Sequence, residues 1–146
     1  MTRQEHIDQL MLQYNIRRID AKELFRLAFH KEEAIKMITN ENSGVSLAFG
    51  QPVFYMPFDD MDDDRNYFTA LHEIGHVALG HKEKGKLTGL RLVETEQEAW
   101  EWAFDNALDT EGFAPIMMDG LGTYWDYYNK QEESHFFSWL LERLGK

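Results

Sequence analysis

The sequence predicts an α+β fold, mostly helical with a small β-sheet, and three observations predict it. Apolar residues recur at three- and four-residue spacing from Gln4 to Thr39, from Asn66 to Gly80 and from Glu94 to Leu108, as amphipathic helices require. Between the first two of these segments, Val45 to Phe49 and Val53 to Met56 are short apolar runs set off by Gly44, Gly50 and Pro52, the pattern of strands. A chain of 146 residues with 43% hydrophobic content can fill one core. The expectation is a single domain over residues 1–146, with residues 1–43 as an N-terminal helical brace.

In the brace, Ile7, Leu10, Met11 and Tyr14 share one helical face, and Leu24, Leu27, Ala28, Ala34, Ile35 and Ile38 continue the pattern. Asp20 with Glu23 three residues later is a start signal for a second helix. Two or three helices fit this stretch. The two strands follow, and Pro57 closes the second. Asp59, Asp60, Asp62, Asp63 and Asp64 then form an acidic loop; it lacks the glycine and the terminal glutamate of a calcium-binding EF loop and is read as solvated.

The next helix, Asn66 to Gly80, puts Phe68, Leu71, Ile74 and Leu79 on one side, with His72 and His76 one turn apart beside them. Gly80 is the expected stop. Lys82 to Gly89 suits a connection and Leu87 to Val93 one short strand. From Glu94 onward Ala99, Trp102, Ala103 and Ala107 recur as in a helix, with Glu98 and Trp102 on a shared face. The C-terminal part is rich in aromatic residues, Tyr124 to Trp139, which at helical spacing seal a core.

Charge and composition exclude several functions. Fifteen basic against 26 acidic side chains give a net charge of −11, a field that repels nucleic-acid backbones, so no direct nucleic-acid partner is expected. No apolar run reaches the length of a membrane span and the N-terminus lacks the apolar run of a signal peptide, so a cytoplasmic protein with no membrane partner is expected. There is no cysteine, and a transition-metal site must be built from histidine and carboxylate.

The segment that carries chemistry is His72, Glu73, Ile74, Gly75, His76. On a helix the positions i and i+4 share a face, so both imidazoles can address one zinc ion, while Glu73 lies close enough to take the proton of the attacking water. With 6 histidines and 15 glutamates in the chain, about 0.02 such matches would arise by chance in a shuffled sequence. The extended metzincin pattern would need glycine and histidine where Leu79 and Lys82 stand, and that subclass is excluded. His81, read on a continuing helix, lies about 140° around from His76 and is a supporting or surface residue.

A third ligand has to come from elsewhere. Glu94, Glu96, Glu98 and Glu101 open the following helix, and a glutamate from a second helix completes the His₂Glu type of zinc site. Periodicity leaves Glu98 and Glu94 open, beside a reading in which all four favour the helix dipole.

The stretch from Pro52 to His81, PVFYMPFDDMDDDRNYFTALHEIGHVALGH, resembles the ImmA/IrrE family of zinc metallopeptidases, and EQEAWEWA, Glu96 to Ala103, is similar to that family's glutamate-x-glutamate-alanine segment. Together these segments cover about a quarter of the chain. The resemblance implies a zincin-like domain in which His72, His76 and Glu98, the glutamate directly before alanine, hold zinc and Glu73 is the catalytic base. It also implies a protein substrate, a helix-turn-helix repressor in a phage or mobile-element setting. Where the family continues with a leucine-rich stretch closed by methionine and proline, this chain has DNALDTEGFAP. No appended helix-turn-helix is evident, so the peptidase module alone is expected. An oxyanion stabiliser is sought among Tyr124, Tyr127, Tyr128 and His135. The alternative is a non-proteolytic anti-repressor or interaction protein that retains the fold.

Overall fold

The computed structural model describes residues 1–46, 50–81 and 89–125 together with Glu142, the side chains of residues 89–93 and 122–125 excepted. Its elements run α1 (Arg3–Gln13), β1 (Arg17–Ile19), α2 (Ala21–Leu27), α3 (Lys31–Thr39), β2 (Gly44–Ser46), β3 (Val53–Tyr55), α4 (Asp64–Ala78), α5 (Gly89–Asn106) and α6 (Phe113–Trp125). The described residues are thus mostly helical with a three-stranded sheet, an α+β arrangement. None of their helices is long and apolar enough to cross a membrane.

Local signals set the helix starts. Thr2 caps α1 in a reciprocal capping box with Glu5, and Asp20 accepts from the Glu23 amide at the start of α2. Asp63 caps α4 by accepting from the Asn66 amide. The acidic stretch read as a solvated loop is therefore partly structural. Asp60 accepts from the Asp62 amide, Asp59 pairs with Arg18 at 2.7 Å, and Asp64 pairs with Arg3 at 2.9 Å.

The N-terminal segment also contributes a strand that helical periodicity did not anticipate. The sheet order is β1-β3-β2, with β1 parallel and β2 antiparallel to the central β3. All three residues of β3 are buried, as befits the middle strand. Val53 and Tyr55 join Ile19 in a small cluster under α2 and α3, while Phe54 points the other way into the main core. The strand expected at Val45 to Phe49 is observed as Gly44–Ser46, and Leu47 to Phe49 lie outside the described residues.

The main core is built around α4. Tyr67, Phe68, Leu71 and Ile74 are fully buried, and α1, α5 and α6 all pack against the helix. Phe113, at the start of α6, meets Phe68, Trp100 and Phe104 edge-on, with ring centroids 5.1, 5.9 and 5.3 Å away. The short strand expected at Leu87 to Val93 is corrected over its described part, because α5 already runs from Gly89. A helix extended in this direction brings Thr95 and Glu96 into its buried stripe, which reads Thr95, Glu96, Ala99, Trp100, Ala103.

The crossing of α4 and α5 is close because it is made at small residues. A methyl group added at Gly75 would stand 3.0 Å from the Ala99 carbonyl oxygen and 3.1 Å from the Trp102 ring. On each helix one turn before this contact comes a polar residue, His72 on α4 and Glu96 on α5. The tight crossing therefore brings the two within bonding reach.

Candidate metal centre

His72 and His76 lie on α4, both with about 6% exposure, and their rings stand 4.6 Å apart. Their Nε2 atoms converge on one carboxylate oxygen, Glu96 Oε2, at 2.7 Å from His72 and 3.2 Å from His76. Glu96 is fully buried. One nitrogen from each ring and one oxygen from Glu96 all lie within 4.8 Å of one another, the arrangement of a metal-binding group.

The donors fit a transition metal. With bonds of about 2.0–2.1 Å, tetrahedral geometry sets neighbouring ligand atoms about 3.3 Å apart. The His76–Glu96 separation of 3.2 Å already has that value, and the His72–Glu96 separation of 2.7 Å needs only a small outward shift of the carboxylate. Two imidazoles and a carboxylate also form a donor set suited to zinc and its neighbours in the first transition row.

Neighbouring side chains fix the histidines. The His72 ring stacks on Trp100, with centroids 4.2 Å apart and planes 10° from parallel. Trp100 in turn fits over Gly120 of α6, where an added methyl group would come within 2.6 Å of the indole. Glu73, also buried, holds Oε1 3.6 Å from His72 Nδ1.

Burial and charge act on the two imidazoles with opposite results. For His72, burial opposes protonation, but hydrogen bonds donated to Glu73 and Glu96 and the negative charges of both outweigh it, and the pKa is held above the ordinary histidine value. For His76, burial prevails over the attraction of Glu96, with the neighbouring His72 adding to it, and the pKa is pushed down.

The glutamate that meets the histidines is Glu96, not Glu98. Two residues along a helix turn the side chain through about 200°, so the two carboxylates leave α5 in nearly opposite directions. Glu98 reaches His81 Nε2 instead, at 3.1 Å. The expected face, which paired Glu98 with Trp102, is rotated relative to the observed stripe of Glu96, Ala99, Trp100 and Ala103. The signal available in the sequence was Trp100, a second large aromatic residue one turn after Glu96.

His81 is likewise closer than its helical angle implies, because the helix ends before it. Gly80 adopts a positive φ of 67°, its amide bonds the Val77 carbonyl at 3.1 Å, and the His81 amide returns to the His76 carbonyl at 3.0 Å. This is a Schellman ending, which folds the chain back over the last turn. It carries the His81 ring to His76, where the two Nδ1 atoms stand 2.9 Å apart.

Of the residues considered for an oxyanion role, Tyr127, Tyr128 and His135 lie outside the described residues, as does the Tyr124 side chain. Comparison with known protein families, curated proteins and solved structures found no match for this chain.

Proposed function

We propose that the chain is a zinc-dependent peptidase with a zincin-like, His₂Glu site of the kind the ImmA/IrrE resemblance implies, acting in the cytoplasm on a protein substrate. The observation that carries this reading is the convergence of His72, His76 and Glu96 on one point, beside the buried carboxylate of Glu73. His72, His76 and Glu96 would hold the metal, offering two imidazole nitrogens and a carboxylate oxygen. A bound zinc ion supplies Lewis acidity, lowering the pKa of water and polarising a peptide carbonyl.

Within that frame each protein group has one task. Glu73, next to a ligand on the same helix, accepts a proton from the attacking water and returns it to the leaving amine. Trp100 and the α4–α5 crossing hold the His72 ring and the Glu96 carboxylate in register, so binding asks only a small shift of the carboxylate. The net charge of −11 favours a protein partner over nucleic acid. The resemblance supports a helix-turn-helix repressor as that partner.

Two measurements test the reading. Elemental analysis of untagged protein is expected to give one zinc per chain, and chelation is expected to lower the melting temperature by removing the ligand-linked share of stability, about 2.7 kcal/mol at a hundredfold excess over Kd. Glu73→Gln is expected to keep the metal and to lose about 10²- to 10⁴-fold in peptide hydrolysis. Unchanged hydrolysis in that variant would remove Glu73 from its role. Stoichiometric repressor binding without cleavage products, in the wild type as in the variant, would move the protein to the anti-repressor class.

A further inference from the structure

We propose that His81 and Glu98 form a positioning pair for His76, a chain of hydrogen bonds that fixes which nitrogen of that ring is left for the metal and so sets how tightly the metal is held. This rests on the metal-site reading given above.

The geometry runs in one line from the surface to the site. Glu98 Oε2 stands 3.1 Å from His81 Nε2, His81 Nδ1 stands 2.9 Å from His76 Nδ1, and His76 Nε2 faces Glu96. The outer end is partly solvated, with the Glu98 side chain 44% exposed, whereas that of His81 is 5% exposed.

Counting protons gives each ring one assignment. A metal at His76 Nε2 takes the lone pair there, so a neutral His76 carries its proton on Nδ1. That proton is donated to His81 Nδ1, which therefore accepts, and a neutral His81 carries its own proton on Nε2. Glu98, with only acceptors when ionised, receives it. Every hydrogen bond in the line is then satisfied with two neutral rings and one carboxylate, and each supports the next. An acceptor held against the far nitrogen of a metal-binding histidine raises the basicity of the ligating one and limits ring rotation, and losing such a partner costs about 10- to 100-fold in metal affinity.

The backbone builds this line. His81 is the second residue past the cap, the position a Schellman ending folds back over the residue it bonds, here His76. An apolar contact commonly occupies that place; in this chain it is a pair of imidazoles. The turn depends on Gly80, whose φ of 67° disfavours any side chain although there is open space around it.

The test is zinc affinity of the full chain, measured by competition with a chromophoric chelator, for His81→Ala, His81→Asn, Glu98→Ala and the double alanine variant, with metal-free thermal melts to show that each is folded. His81→Ala is expected to weaken zinc binding about 10- to 100-fold. His81→Asn is expected to recover most of that loss, since its amide oxygen occupies the place of the Nδ1 acceptor. Glu98→Ala is expected to weaken binding by a smaller factor in the wild-type background and by none when His81 is already alanine, because the carboxylate acts only through the imidazole. Equal losses from Asn and Ala at position 81, or additive losses from His81 and Glu98, would overturn the proposal. So would a large loss from Glu98→Ala in both backgrounds, which would make Glu98 itself a ligand. Glu96→Ala separates this from the underlying reading: if the wild type binds no zinc, or Glu96→Ala binds it as tightly, the metal site fails. If Glu96 matters and neither His81 nor Glu98 does, the positioning pair alone fails.

Discussion

Helix α4 takes polar side chains into the core in both of its halves. In the first half, Tyr67 is fully buried and its hydroxyl lies 2.8 Å from His6 Nδ1 and 3.0 Å from the Leu108 amide. The amide can only donate, so the hydroxyl accepts from it and has its own proton left to give to His6 Nδ1. The Arg3 guanidinium covers the ring at 4.5 Å and ties Asp64 and Asp109 to the same corner. Donors meet acceptors one for one. In the second half, two imidazole nitrogens and a carboxylate oxygen, all capable of presenting lone pairs, are gathered within 4.8 Å. Tyr67 and His6 are buried, as are His72, His76 and Glu96. What separates a satisfied polar core from a site is the balance of roles: the first cluster closes on itself, and the second is an assembly of electron-pair donors suited to a cation.

The two halves of α4 differ most at Glu96. Glu96→Ala removes the donor shared by both histidines and is expected to weaken zinc binding by more than about 100-fold. The zinc-dependent rise in melting temperature should vanish with it. Full zinc retention in a folded Glu96→Ala protein would mean that the second half of α4 is no more a metal site than the first.

The converse experiment is Tyr67→Phe. Loss of the hydroxyl takes the partner from the part-buried Leu108 amide and from the buried His6 Nδ1, at an expected cost of about 1–3 kcal/mol in stability, read from denaturant unfolding. Zinc affinity should stay within about twofold, because additivity holds between sites with no shared partner. A large fall in zinc affinity would show that the two halves of the helix are coupled and that the division drawn here is false.

How much of this was legible in the sequence follows from the range over which each feature is decided. His72, Glu73 and His76 are legible because one helix places all three, and five consecutive residues define it. Glu96 was not, since choosing among Glu94, Glu96, Glu98 and Glu101 requires knowing which face of α5 turns inward. Trp100 and Trp102 offered two faces, and Ala99 against Gly75 decides between them only once the helices cross. His81 was legible as a supporting or surface residue and Gly80 as the helix stop, but the contact with His76 was not, because a helical wheel has no place for the left-handed residue at Gly80 that folds the chain back. The strand Arg17–Ile19 exists through its pairing with Val53–Tyr55, and two exposed arginines in three residues give no periodicity to read. The acidic run likewise looked solvated because the helix that Asp63 caps, and the arginines that meet Asp59 and Asp64, lie on other parts of the chain.

Smaller in effect is the cap. Asp63→Ala leaves the Asn66 amide without its acceptor and is expected to cost about 1 kcal/mol in stability. Zinc affinity should not change, since the cap lies more than two turns from His72 along α4. Loss of zinc would reveal that the helix start, and with it the acidic loop, controls the site.

The finest distinction between the halves is in pH. Burial pushes the His6 pKa below the ordinary histidine value, and a Tyr67 proton given to Nδ1 needs a lone pair that protonation of the ring removes. A folded-state pKa depressed below the unfolded one binds protons less readily in the native protein, so stability is fully present above the unfolded value of about 6.5 and is lost as pH falls through the folded one. His6→Asn offers an amide oxygen at the Nδ1 position and does not titrate. In melts between about pH 7.5 and about pH 5.5 the wild type should lose stability relative to His6→Asn as the pH is lowered, and part of that gap should remain in a Tyr67→Phe background, where burial of the ring still opposes its charge. The difference between wild type and His6→Asn excludes every proton taken up elsewhere, including those that compete with metal at His72 and His76, because both proteins share them. A pH-independent difference would show that His6 meets Tyr67 in its charged form as readily as in its neutral one, and would reverse the assignment of donor and acceptor on which the balance of the first half of α4 rests.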